Sequence, residues 1–218
     1  MSRLSKALAI LTVIVAIVAV GVSGSFLTRQ VIAVAGEADA ERLNRAILSY
    51  VAEKNPRAPI KAFQAFPEIL VAEARRANVD HCLILAQAEV ESEFRHDAVG
   101  RAGEVGLFQM LPSTAALFEP SLGKFKRPAL NDQRDLGDLA NPAVSTRFAM
   151  AYLRDILARK PNIKDALLEY NGGPTSRHLH YYRMVMGTYV ELLERPELRC
   201  LYQPAQKRPA VLAFLTRA

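Results

Sequence analysis

From Ala7 to Leu27 the chain runs through 21 consecutive residues without a charge, and this run decides what its N-terminus can be. As a helix it would measure ~31 Å at ~1.5 Å per residue, about the hydrocarbon thickness of a bilayer. It is apolar on every face, unlike a helix that lays one stripe on a soluble core. Arg3 and Lys6 precede it and Arg29 comes after it. That bias favours an N-terminus in the cytoplasm with the rest of the chain outside. Two readings compete, an uncleaved anchor and a cleaved export signal. A signal has a shorter apolar region with a small-residue cleavage site close behind. Ala33-Val34-Ala35 has the small-x-small pattern but lies well past the run, and Val20–Gly24 fits less well. The length favours the anchor: one pass through an inner membrane, with the remainder in the periplasm. The alternative is a periplasmic protein after cleavage.

Charge elsewhere is nearly balanced. Three of the 28 Lys and Arg and none of the 22 Asp and Glu fall in residues 1–36, which leaves 25 cations against 22 acids. That excess lacks the density of a nucleic-acid-binding face. Two cysteines exclude a disulfide-rich mini-protein and a four-cysteine zinc site. His178 and His180 are expected on different helix faces in solvent, and with His81 and His96 they form no ligand set. No metal or cofactor is expected, and no phosphate loop or Ser-His-Asp arrangement is present.

Helical spacing dominates the chain beyond residue 36. Residues 37–54 place Leu43, Ile47, Leu48 and Val51 on one face. Pro67 opens a helix, Asp80 caps the next over 81–94, and Pro142 opens another. Further helices are expected near 107–118, over 163–170 before the Asn171-Gly172-Gly173-Pro174 stop, and over 176–194. Residues 119–141 read as a long solvated connection. No strand is convincing, so the fold class is all-α. The boundaries are 1–36 for the anchor or signal, 37–66 for an accessory helix and linker, 67–194 for the main domain and 195–218 for a tail.

The helix over 81–94 ends in Glu89, Glu91 and Glu93. Ile84, Ala88 and Glu91 recur at i, i+4, i+7, so Glu91 falls on the apolar stripe and its two neighbours flank it towards solvent. A carboxyl on such a stripe loses hydration, which raises its pKa and suits it to general acid work. Periodicity alone favours a solvated helix-end residue, since most glutamates are exposed.

Three blocks in order tip that balance. The Glu91-Ser92 pair, Gly106-Leu107-Phe108-Gln109 and Tyr170-Asn171-Gly172 resemble the "ES", "GLMQ" and "AYNxG" motifs of the soluble lytic transglycosylase family. The resemblance covers about residues 67–190. It implies a lysozyme-like helical domain that cleaves the glycan strands of peptidoglycan, with Glu91 as the catalytic acid and then base. Phe108 stands for the usual methionine, Arg95-His96 for a frequent Asn-Pro, and Glu169 for the usual alanine. Around Glu91 the resemblance suggests a substrate site. Tyr170 would hydrogen-bond Glu91, and Gln109 would offer a donor and an acceptor to an N-acetyl group. Asn171 would bind sugar or cap its helix in a left-handed conformation. Ser92 would bond near Glu91 or cap backbone. Gly106 would let backbone approach the sugar or make a plain turn, and Phe108 would wall the groove or pack the core.

Two other functions stay open: a hydrolytic muramidase on the same fold, with Glu104 or Asp97 as a second carboxylate, and a non-catalytic peptidoglycan-binding component of an envelope assembly. A short domain behind one anchor also resembles the transglycosylases that open the wall for secretion or conjugation machines. Cys82 and Cys200 would either pair in an oxidising compartment or remain separate buried thiols.

Overall fold

A computed structural model describes residues 37–129 and 135–200. The apolar run at 7–27 and the tail at 201–218, and with them the expected membrane anchor, lie outside the described residues. Among the described residues no helix is long and apolar enough to cross a membrane. The chain divides into two compact units, Met1–Arg42 and Leu43–Ala218. Of the first, only residues 37–42 are described; they are helical, with Arg42 paired to Asp39.

The second unit is all-helical, and among the described residues its only β pairing is two isolated bridges, Val99–Val105 and Val105–Met110. Of α1 (residues 37–54), residues 43–54 belong to this unit, and α2 (Phe66–Arg76) and α3 (His81–Ser92) follow. Next are two short helices, α4 (Pro112–Ala116) and α5 (Glu119–Leu122). The long helices α6 (Pro142–Arg159), α7 (Ile163–Gly172) and α8 (Leu179–Leu193) complete the order.

Helix starts follow local side-chain chemistry. Asp80 accepts from the Cys82 N–H at 3.0 Å, and Asn141 accepts from the N–H groups of Ala143 and Val144 at 2.9 and 3.3 Å. Each satisfies backbone donors that a helix leaves orphaned at its N-terminus.

α3 is the central element. The sequence reads as one apolar side, yet every residue from His81 to Ala88 is buried. The reason is packing on several sides: α2 and α8 both lie against it, and a disulfide closes its N-terminus. Cys82 and Cys200 are bonded, with Cα atoms 5.4 Å apart. Beside that bond the His81 Nε2–H donates to the Leu198 carbonyl at 2.8 Å, and the Tyr189 hydroxyl donates to Asp80 at 2.9 Å. Ile47, Tyr50 and Val51 of α1 share one core with Phe63, Phe66 and α3, so the segment before residue 67 packs against α3. Each fully buried aliphatic or aromatic side chain there is worth about 1.5–3 kcal/mol in transfer from water.

The expected helix at 107–118 is confined to α4. Its first residues form a tight turn instead, because Gly106 and Gln109 take positive φ angles of 83° and 44°. The described part of the 119–141 connection is also less solvated than expected. Phe125 is buried against Phe148, with ring centroids 5.0 Å apart.

Candidate active site

Glu91 lies one residue before the end of α3, where Glu93 and Phe94 turn the backbone left-handed at φ 52° and 56°. Burial pushes its carboxyl up to about 7; the Tyr181 hydrogen bond opposes that rise, and the charge of Glu104 adds to it. The Tyr181 hydroxyl donates to Glu91 Oε1 at 2.6 Å. This corrects the sequence expectation, in which Tyr170 took that role. The Tyr170 hydroxyl instead donates to the Phe108 carbonyl at 3.0 Å and lies 3.3 Å from the Met110 sulfur. Burial, with the charge of Glu91 nearby, raises the pKa of both tyrosines well above its ordinary value, so they stay neutral donors.

The flanking carboxylates differ from each other. Glu93 is exposed, as expected. Glu89 is half-buried, bonded by the Tyr50 hydroxyl and paired with Lys54 at 2.9 Å. It ties α1 to α3 and faces away from the chemistry.

Two cavities meet at Glu91. One, of about 450 Å³, is lined by Glu91, Tyr181, Asn171, His178, His180 and Met184. The two histidines therefore share a cavity rather than lying on opposite faces. His178 precedes α8 as its cap residue, so helical spacing does not apply to the pair. The other cavity, of about 470 Å³, is lined on one side by Gly100, Glu104 and Gln109 and on the other by Tyr152, Tyr170 and Asn171.

The loop after α3 is stiff. The Gly106 N–H donates to the Ala98 carbonyl at 2.9 Å and the Gly100 N–H to the Glu104 carbonyl at 2.8 Å. Val105 and Met110 exchange backbone bonds at 2.9 and 3.1 Å.

Several expected binding residues hold this loop rather than face the cavities. The Ser92 hydroxyl donates to the carbonyls of Ala88 and Leu107 at 3.2 and 2.9 Å and is buried. Gly106 is required by protein backbone, not by a sugar: a Cβ there would collide with the Leu139 carbonyl oxygen. Phe108 is 1% exposed and packs in the core instead of walling a groove. Gln109 spends both amide hydrogens on the carbonyls of Ala98 and Gly106, at 3.2 and 2.9 Å. It keeps only its oxygen for a ligand. Asn171 faces both cavities from inside α7; the left-handed end falls at Gly173, at φ 79°. Glu169, in the place of the usual alanine, is buried and paired with Arg159 and Lys160, which locks α7 to the end of α6.

Tyr181 and Glu104 are the residues that motif reading undervalued. Tyr181 carried a signal, because Tyr181, Val185 and Leu192 repeat at i, i+4, i+11 on the buried face of α8. Glu104 stood in view only as a partner for hydrolysis.

A largely desolvated, protonatable carboxylic acid at the end of a central helix, lining two cavities, is the arrangement a general acid needs. Residues 68–182, just over half of the chain, match the transglycosylase SLT domain. The chain belongs to this family. Among solved structures it is similar to an inactive mutant of the lytic transglycosylase Slt of Pseudomonas aeruginosa. That match has 24% identity and a TM-score of 0.45, and covers 64% of this chain and 27% of that one. It is also similar to the 70 kDa soluble lytic transglycosylase of Escherichia coli, at 19% identity and a TM-score of 0.41, covering 76% and 27%. In both cases the match spans about a quarter of the other protein's length.

Proposed function

We propose that the protein is a peptidoglycan lytic transglycosylase that cleaves the β-1,4 bond between N-acetylmuramic acid and N-acetylglucosamine. The observation that carries this reading is Glu91, held by Tyr181 between two cavities, with a carboxyl that burial raises to about 7. Near neutral pH such a group holds its proton in a large share of molecules, which a general acid needs.

Glu91 gives its proton to the glycosidic oxygen as the bond to C1 of the muramoyl residue breaks. The substrate's acetamido group stabilises the positive carbon, as in other substrate-assisted glycosidases. Glu91, now a carboxylate, removes the proton from the C6 hydroxyl of the same sugar, and that oxygen closes on C1. The product is a 1,6-anhydromuramoyl end; Glu91 has its proton back and no water is consumed. Intramolecular attack gains from the high effective molarity of a positioned hydroxyl. Tyr181 orients the carboxyl, and Asn171 and the Gln109 oxygen contact sugar on either side.

Mass spectrometry of digested sacculi tests the reading. Anhydro ends that vanish with Glu91→Gln support it. Reducing ends would point to a hydrolytic muramidase, and turnover unaffected by Glu91→Gln would remove Glu91 from the chemistry. We also place the domain in the periplasm behind an inner-membrane anchor. The Cys82–Cys200 bond supports this, since such bonds persist in oxidising compartments. One short domain on an anchor suits local wall opening for a secretion or conjugation apparatus. Alkaline extraction of membranes tests the anchor, which requires the chain to stay in the pellet.

A further inference from the structure

The second cavity contains a carboxylate to which the acid–base cycle of Glu91 gives no role. Glu104 lines it together with Glu91. Its side chain is held in place: Oε2 accepts from the Ala102 N–H at 3.0 Å. It also lies so close over Gly100 that a Cβ at that position would overlap it. The backbone beneath is the stiff loop after α3, with the Gly100 N–H on the Glu104 carbonyl. The same open space over Gly100 also receives the Gln109 side-chain oxygen.

We propose that Glu104 is a positioning residue whose fixed negative charge, facing Glu91 across the cavity, keeps the proton on Glu91 until substrate takes it. The physical basis is that two carboxylates lining one cavity resist being charged together. Burial is the larger cause of the raised Glu91 pKa, and Glu104 adds to it. The other polar groups facing Glu91 are Tyr181 and His180 of α8, His178 before it, Tyr170 of α7 and, on the Glu104 side, Tyr152 of α6 and Arg101. Tyr181 pulls the Glu91 pKa down through its hydrogen bond. Arg101 is exposed at the rim, so its charge is screened by water. On α3 itself Glu89 is tied to Tyr50 and Lys54. Glu104 is therefore the group that opposes ionisation of Glu91 by charge.

The inference rests on the lytic transglycosylase reading for its purpose, but its test does not require turnover. The Glu91 carboxyl is titrated by carbon NMR in the full-length protein in detergent micelles, its signal identified by its loss in Glu91→Gln. In Glu104→Gln the Glu91 midpoint should fall by roughly half a pH unit. Gly100→Ala keeps every charge but crowds the Glu104 carboxylate and the uncharged Gln109 oxygen, and should lower the midpoint in the same direction by less. In sacculus digestion the alkaline limb of kcat/KM should move with the midpoint. An unchanged midpoint in both variants, with native melting curves at pH 5, would overturn the proposal. If Glu104→Gln does not fold, Gly100→Ala decides alone. Loss of the function reading would show separately, as turnover that survives Glu91→Gln or as no turnover at all.

Discussion

Replacing Glu91 by glutamine should make the protein more stable as it makes it inactive, and only above a certain pH. The amide keeps an oxygen that can accept from Tyr181 but carries no charge to desolvate. In the wild type the folded carboxyl titrates at about 7 against an ordinary 4.5. The pKa is raised on folding, so its contribution to stability is fully present below about 4.5 and is lost as pH rises to about 7. That displacement corresponds to roughly 3 kcal/mol at ~1.36 kcal/mol per pH unit. Access to water through the cavities reduces it to about 2 kcal/mol. For a chain of this size each kcal/mol moves the melting temperature by ~2–4 °C, so the Glu91→Gln variant should melt roughly 4–8 °C higher than the wild type at pH 8. At pH 4 the two curves should coincide. Thermal melts monitored by circular dichroism at both pH values are sufficient. Coincident curves at pH 8, or a variant less stable there, would refute the claim that burial strains the charged form of Glu91.

The same geometry sets three other outcomes. Tyr181→Phe removes a hydrogen bond that lowers the Glu91 pKa, so the alkaline limb of kcat/KM should move up by about one pH unit, given ~1.5 kcal/mol for a bond to a charged group; Tyr170→Phe should move it much less. Reduction of Cys82–Cys200, or serine at both positions, should cost ~2–5 kcal/mol, read as a lower denaturation midpoint in urea. Gly106→Ala places a methyl against the Leu139 carbonyl at a positive φ. It should lower stability by at least ~2 kcal/mol in the same urea titration.

Much of the fold was legible because its signals are local. Asp80 caps α3 where the residue pattern placed a cap, and Pro142 opens α6 as the pattern expected. What was not legible depends on distance through space. Tyr181 stands 90 residues from Glu91, and no local pattern couples the two. The same holds for the choice between bonded and separate cysteines, which local sequence left even and the fold decided. Gly106, Ser92 and Gln109 show a different failure. Motif residues around a site are easily read as ligand contacts, yet much of their hydrogen bonding and shape is spent on building the loop that carries the contacts. Local helix signals also could not reveal that α3 is buried from His81 to Ala88 on more than one side, since that depends on which helices return to it.

The bond between Cys82 and Cys200 closes a covalent ring that holds Glu91, the stiff loop, Asn171 and Tyr181. A protease that cuts once between the two cysteines, for instance in the 119–141 connection, therefore opens the ring without releasing either piece. A molecule nicked in this way would remain one particle. Its parts would stay at high local concentration and could settle back around the same glutamate. The ring protects the site against loss of parts, which is a different property from stability against unfolding.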